Sequence, residues 1–112
     1  MKELNEEEEL EVEGGAYNDV GRGTYVLDLE KANYAHYFYP AASIVRKNGE
    51  YVYDSSKGAR QIFPRAGKIK VKTIGESRNV KVGSKVRDLW LVNVEGKGKG
   101  WINSNLVYKC AK

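Results

Sequence analysis

The sequence predicts an all-β fold, a small antiparallel barrel, and three observations carry that expectation. Short apolar runs recur from Ala42 onward, separated by glycine-containing turns, which is the rhythm of a compact all-β domain. Asn48-Gly49 stands between two such runs, and that dipeptide suits the positive backbone angles of a two-residue hairpin turn. No stretch of the chain shows a clear, long helical period. With 112 residues there is room for one small domain and a tail.

Residues 1–15 read as a separate segment. They carry Lys2 against seven glutamates, a net of −6, and close on Gly14-Gly15. A helix here would stack Leu4, Glu8 and Val12 on one face, because residues four apart are neighbours on a helix surface. Two glycines without Cβ atoms can lie extended in a tight tunnel, which suits a cleavage point. The plainer alternative is an acidic tail ending in a Gly-Gly linker.

Residues 16–41 form a tyrosine-rich connecting segment. Gly21-Arg22-Gly23 reads as a loop, Thr24 as the cap of a short helix running through Asp28, Glu30 and Ala32, and Pro40 as its end. The cluster Tyr34, Tyr37, Phe38, Tyr39 suits either a strand or an aromatic flap that covers an edge or apolar face.

Residues 42–112 hold the barrel. Ser43-Ile44-Val45 and Tyr51-Val52-Tyr53 flank the Asn48-Gly49 turn as two short strands. Asp54 to Gly58 reads as a loop. Ile69, Val71 and Thr73 alternate with Lys68, Lys70 and Lys72, the period-2 pattern of a half-buried strand with a lysine-lined outer face. Gly75 is expected to end that strand. Val80, Val82 and Val86 continue the rhythm around Gly83, and Leu89 to Val94 forms a strand carrying Trp90. Gly96, Gly98 and Gly100, with Lys97 and Lys99 between them, make the turn before Trp101-Ile102.

Charge narrows the class of partner. The whole chain has a formal net charge of +4, so without the segment of −6 the remainder carries +10. Such a field favours polyanions: anionic lipids, wall teichoic acids or nucleic acid. No run of about 18 apolar residues is present, which excludes a transmembrane helix. Cys110, the single cysteine, excludes an intrachain disulfide; near the C-terminus it reads as an accessible thiol, first as a harmless unpaired one and, at an oxidising destination, as one through which two copies could join as a homodimer. His36, the single histidine, gives no metal cluster, and no acid, base and nucleophile constellation points to an enzyme. Neither a cofactor nor a metal is expected.

The first segment, with Leu4, Glu8, Leu10 and Val12 ahead of Gly14-Gly15, resembles the double-glycine leaders of class II bacteriocins and related secreted bacterial peptides. Where that family usually has leucine seven residues before the cut, this chain has Glu9, and Leu10 follows. The resemblance implies a peptidase-containing ABC exporter as partner, cleavage after Gly15, and a secreted or cell-surface product.

Trp90 in its strand, the glycine turn, Gly100-Trp101-Ile102, Asn103-Ser104-Asn105 and Leu106 resemble the closing half of a bacterial Src-homology-3 domain. The likeness covers residues 43–108, most closely from Trp90 to Leu106. It implies an SH3-like barrel that binds cell-wall peptides or other extended ligands in a groove, here Tyr51, Tyr53, Trp90 and Tyr108. Core packing is the bland role for Trp90 and Trp101.

Lys68, Lys70, Lys72, Lys97 and Lys99 would form a basic face, or an ordinary solvated face that discourages edge-to-edge pairing. The expected function is an exported, non-enzymatic binding module for a cell-envelope polymer or peptide, with no nucleic acid. The alternative is a cationic bacteriocin-like or signalling peptide exported by the same route.

Overall fold

The structure, a computed structural model, describes residues 21–32 and 34–111. The leader residues Leu4, Glu8, Leu10, Val12, Gly14 and Gly15 lie outside the described residues.

Among the described residues, eight strands make one strongly bent sheet. They are β1 (Gly23–Asp28), β2 (Tyr37–Pro40), β3 (Ile44–Lys47), β4 (Glu50–Tyr53), β5 (Gln61–Ile62), β6 (Lys68–Val82), β7 (Lys85–Val94) and β8 (Gly98–Asn103), followed by helix α1 (Ser104–Cys110). The order across the sheet is β3-β4-β6-β7-β8-β2-β5, and β1 joins separately on β6. The result is a curled half-barrel.

The curl originates in β6. Asn48 and Gly49 turn β3 into β4 with φ of 52° and 82°, as the dipeptide predicts. Gly75, expected to end a strand, instead takes φ of 92° inside β6, where the pairing with β7 shifts register between Thr73 and Ser77. Between those pairs β6 advances four residues and β7 two; such extra residues on one strand bend it and sharpen its twist, so β6 continues in a new direction to Val82. Before the bend it pairs with β1; after it, Tyr51 and Val52 of β4 pair with Val80 and Lys81 in parallel. The sheet is therefore antiparallel except at that contact.

Bending lets one sheet bury both faces. Along β7, Trp90, Val92 and Val94 enter one core with Leu27, Phe38, Val71 and Ile102, whereas Leu89 and Leu91 enter another with Tyr39, Ile44, Val80 and Trp101. A strand covered on both faces reads as an unbroken apolar run, which accounts for Leu89-Trp90-Leu91-Val92. Helix α1 closes the first core with Leu106, Val107 and Cys110; each such burial is worth roughly 1.5–3 kcal/mol for a Leu- or Val-sized side chain. The helix begins where the Asn103 side chain accepts from the Asn105 amide at 2.9 Å, satisfying one otherwise orphaned donor.

Three further expectations change. The helix from Thr24 does not form: alternate burial and six residues of pairing with β6 make β1 a strand, and only the 3-10 turn Leu29–Lys31 follows, with Asp28 accepting from the Glu30 amide at 3.2 Å. Cross-strand pairing outweighs the capping signal of Thr24. The connecting segment is likewise part of the sheet, since β1 and β2 supply Leu27, Phe38 and Tyr39 to its cores. Cys110, read as an accessible thiol, is fully buried in the first core. It lies on the inward face of α1, so a disulfide-linked dimer would require that helix to lift.

Candidate binding face

Tyrosines and arginines converge on the second face of the sheet. Residues directly opposite on paired strands, and residues two apart on one strand, share a face. Tyr39 pairs with Trp101, and Trp101 with Leu91. Tyr53 pairs with Ile44, Tyr51 with Arg46 and with Val80, and Arg78 with Leu89. The hydrophobic floor is made of Ile44, Val80, Leu89 and Leu91, with Tyr37, Tyr51 and Tyr53 packed against it while half-buried.

Above that floor the guanidinium groups lie on rings. Arg60 sits 3.9 Å from the Tyr37 centroid and 6.0 Å from that of Tyr53. Arg78 sits 4.1 Å from Tyr51 and 4.9 Å from Trp101, and Glu76 holds it at 2.7 Å. Arg46 lies 5.3 Å from Tyr51 and donates to its hydroxyl at 3.3 Å. The Tyr53 hydroxyl accepts from the Arg60 amide at 2.8 Å, so the tyrosine locates the very residue whose side chain lies over its neighbours. Tyr39 meets Tyr53 edge-on at 5.1 Å.

A guanidinium stacked on an aromatic face still presents its planar N–H edge outward, suited to a carboxylate or phosphate. Arg60 is exposed. Side by side, the stacks offer flat apolar area and fixed donors, which is what an extended anionic ligand needs.

The expected groove is divided by the fold. Tyr51 and Tyr53 belong to this face, but Trp90 is buried in the first core, with Tyr108 of α1 edge-on to it at 5.5 Å. The tryptophan on the tyrosine–arginine face is Trp101, itself almost wholly buried beneath Arg78. Tyr51 and Arg46 were within reach of the sequence, since two residues on either side of an Asn-Gly turn stand opposite each other. Arg60, Arg78, Tyr37 and Tyr39 arrive from loops and strands with no local signal linking them.

The lysines follow the predicted alternation. Lys68, Lys70 and Lys72 are exposed on β6, and Lys72 aligns with Asn93 of β7, which aligns with Lys99 of β8. Lys99 and Trp101 share a face, so the basic row and the tyrosine–arginine cluster are continuous. Lys97 stands apart: its Nζ donates to Gln61 Oε1 at 2.8 Å and lies 5.9 Å from the Phe63 ring and 6.0 Å from that of Phe38.

Two buried titratable groups lie away from this face. Burial, then the charges of Arg65 and Arg87, pushes His36 down to about 4; its Nε2 is buried without a hydrogen-bond partner, and its ring lies 4.5 Å from that of Tyr34. Burial pushes Asp88 up to about 7, against the opposing pull of Ser104 and Trp90. Among the described residues no three His, Cys, Asp or Glu side chains come together as a metal site, and no helix is long and apolar enough to cross a membrane.

Comparison with protein-family models, with curated proteins and with solved structures finds no match.

Proposed function

We propose that this chain is a non-enzymatic binding module of SH3-like type that takes an extended, anionic cell-envelope polymer or peptide on the tyrosine–arginine face. The observation that carries the reading is the exposed Arg60 guanidinium over the Tyr37 ring and beside Tyr53, a donor set at an aromatic wall. The continuous row of Lys72 and Lys99 extends the positive field along the same face. In this reading the precursor is cut after Gly15 by the peptidase domain of an ABC exporter and works outside the cell.

Sedimentation with purified cell-wall sacculi tests the ligand, using sacculi with and without their teichoic acids. The wild-type chain is expected to co-sediment at physiological salt, and Arg60→Ala or Tyr51→Ala to remain in solution. Trp90→Ala is unsuited as a control, because its ring fills the core. Failure of the wild-type chain to sediment with either preparation would discard the envelope ligand. Export is tested separately by mass spectrometry of culture supernatant, where a product beginning at Ala16 is the expected species.

A further inference from the structure

The lysine row has a second candidate occupant covalently attached to it. Lys68, Lys70 and Lys72 are exposed on one side of β6, and Lys99 joins them through Asn93. Asp28, in register with Lys68, and Glu95, whose amide donates to the Lys70 carbonyl at 3.0 Å, are the acidic groups beside the row. They lie toward its Lys68 end, so Lys72 and Lys99 form its more positive end. The chain enters the fold at that end. Thr73, the residue after Lys72, donates through Oγ1 to the carbonyls of Gly21 and Gly23, and Arg22 lies across Gly75.

Twenty residues precede Gly21, and the first fifteen carry the net charge of −6. We infer that residues 1–15 dock on the Lys68, Lys70, Lys72 and Lys99 face of the same chain. Reach permits it: the six steps from Gly21 back to Gly15 span at most about 20 Å, and the row from Lys68 to Lys72 is only about 13 Å long. Opposite charge held on so short a tether acts at a high effective concentration. Beside the row, an open cleft of about 340 Å³ is lined by Thr24, Val26, Asp28 and Lys68, among others, with Val26 half-exposed; it offers an apolar contact for Leu10 or Val12. The acidic segment therefore competes with any outside polyanion for these lysines. The inference holds whatever ligand the tyrosine–arginine face takes.

Zero-length carbodiimide coupling of the full chain, followed by mass spectrometry, tests it. At low salt the expected links join Glu6 to Glu9 with Lys70, Lys72 or Lys99 within one molecule. They should fall at least fivefold at 1 M salt, where exposed charges are screened beyond about 3 Å. Lys70→Gln with Lys72→Gln, both at exposed positions, should remove most of them, and Glu6 to Glu9→Gln should raise affinity for polyphosphate about tenfold at low salt. Links spread evenly over Lys47, Lys57, Lys81 and Lys85, links that vanish on dilution because they join two copies, or no links at all, would each overturn the inference.

Discussion

The guanidinium carbon of Arg60 stands 3.9 Å from the centre of the Tyr37 ring, joining the loop before β5 to the edge region of the sheet. Exposed cation–ring contacts are worth about 0.5–1 kcal/mol, so the pair contributes little to stability, whereas a charge-assisted hydrogen bond from the same guanidinium to a ligand contributes about 1.5–3 kcal/mol. Arg60→Ala is accordingly expected to weaken binding of an anionic envelope ligand about 10- to 100-fold while shifting the melting temperature by only a few degrees. Arg60→Lys should recover only part of the affinity, because an ammonium lacks the flat fork. Calorimetric titration beside thermal melting checks both halves.

Gly100 is where two strands and a ring meet most tightly. A Cβ there would stand 2.4 Å from the Phe38 ring and 2.6 Å from the Tyr39 carbonyl oxygen. Backbone cannot give way as a side-chain tip can, and overpacking costs about 1–3 kcal/mol or more. Gly100→Ala should lower the unfolding free energy by about 1–3 kcal/mol or more, with a matching fall in the urea midpoint. Gly96→Ala is a different case, since nothing lies within 4 Å of its Cβ and only its positive φ of 83° resists the change, for about 1 kcal/mol. Urea titration of the two variants separates crowding from backbone preference.

Asp88 and His36 act on stability in opposite directions with pH. The Asp88 carboxyl is raised from 3.8 to about 7 in the fold, so the folded chain holds that proton more tightly. Its contribution is fully present below pH 4 and is lost as pH rises to 7. His36 is lowered from 6.5 to about 4; the unfolded chain holds that proton more tightly, and stability is lost as pH falls from 6.5 to 4. Each slope is at most about 1.4 kcal/mol per pH unit. Between pH 4 and 6.5 they offset one another. Relative to the native chain, Asp88→Asn should therefore gain stability as pH rises through this window, and His36→Gln should lose it. Parallel curves for the native chain and both variants would show that neither group is perturbed.

Cys110 has no exposed surface, and burial raises its thiol. Both effects suppress the reactive thiolate. The native chain should resist Ellman's reagent on the scale of hours and react within seconds once denatured. Fast labelling of the folded chain would mean that α1 opens readily, restoring a route to a linked pair.

Much of the strand pattern was legible from local signals: the Asn48-Gly49 turn, the lysine alternation from Lys68 and the apolar run at Leu89. What misled was competition between local and distant terms. Thr24 carries a capping signal, yet its segment gains more by pairing with β6 fifty residues away, and the sequence holds no mark of that partner. Gly75 looked like a stop because a glycine at a strand end and one at a bend use the same positive φ. Trp90 and Trp101 differ by odd parity across a doubly covered sheet, so their opposite faces follow only from register. Of the tyrosine–arginine face, the sequence singled out Tyr51 and Tyr53 but not Arg60 or Arg78, whose partners Tyr37, Tyr51 and Trp101 lie more than twenty positions away.

The bent β6–β7 hairpin sets an order of assembly. Its strands are joined by the short turn at Gly83 and zip locally, whereas Asp28 must find Lys68 across forty positions and Phe38 must find Ile102 across sixty-four. Long loops are closed more slowly, since their entropy is lost before contacts repay it. The hairpin, with β8 folding back on β7 across another short turn, thus serves as a template on which β1, β2 and β4 condense late, and pulse-labelled hydrogen exchange should find the amides of Val80 and Leu89 protected before those of Leu27. Equal protection times across these amides would mean that the chain instead collapses in a single concerted step.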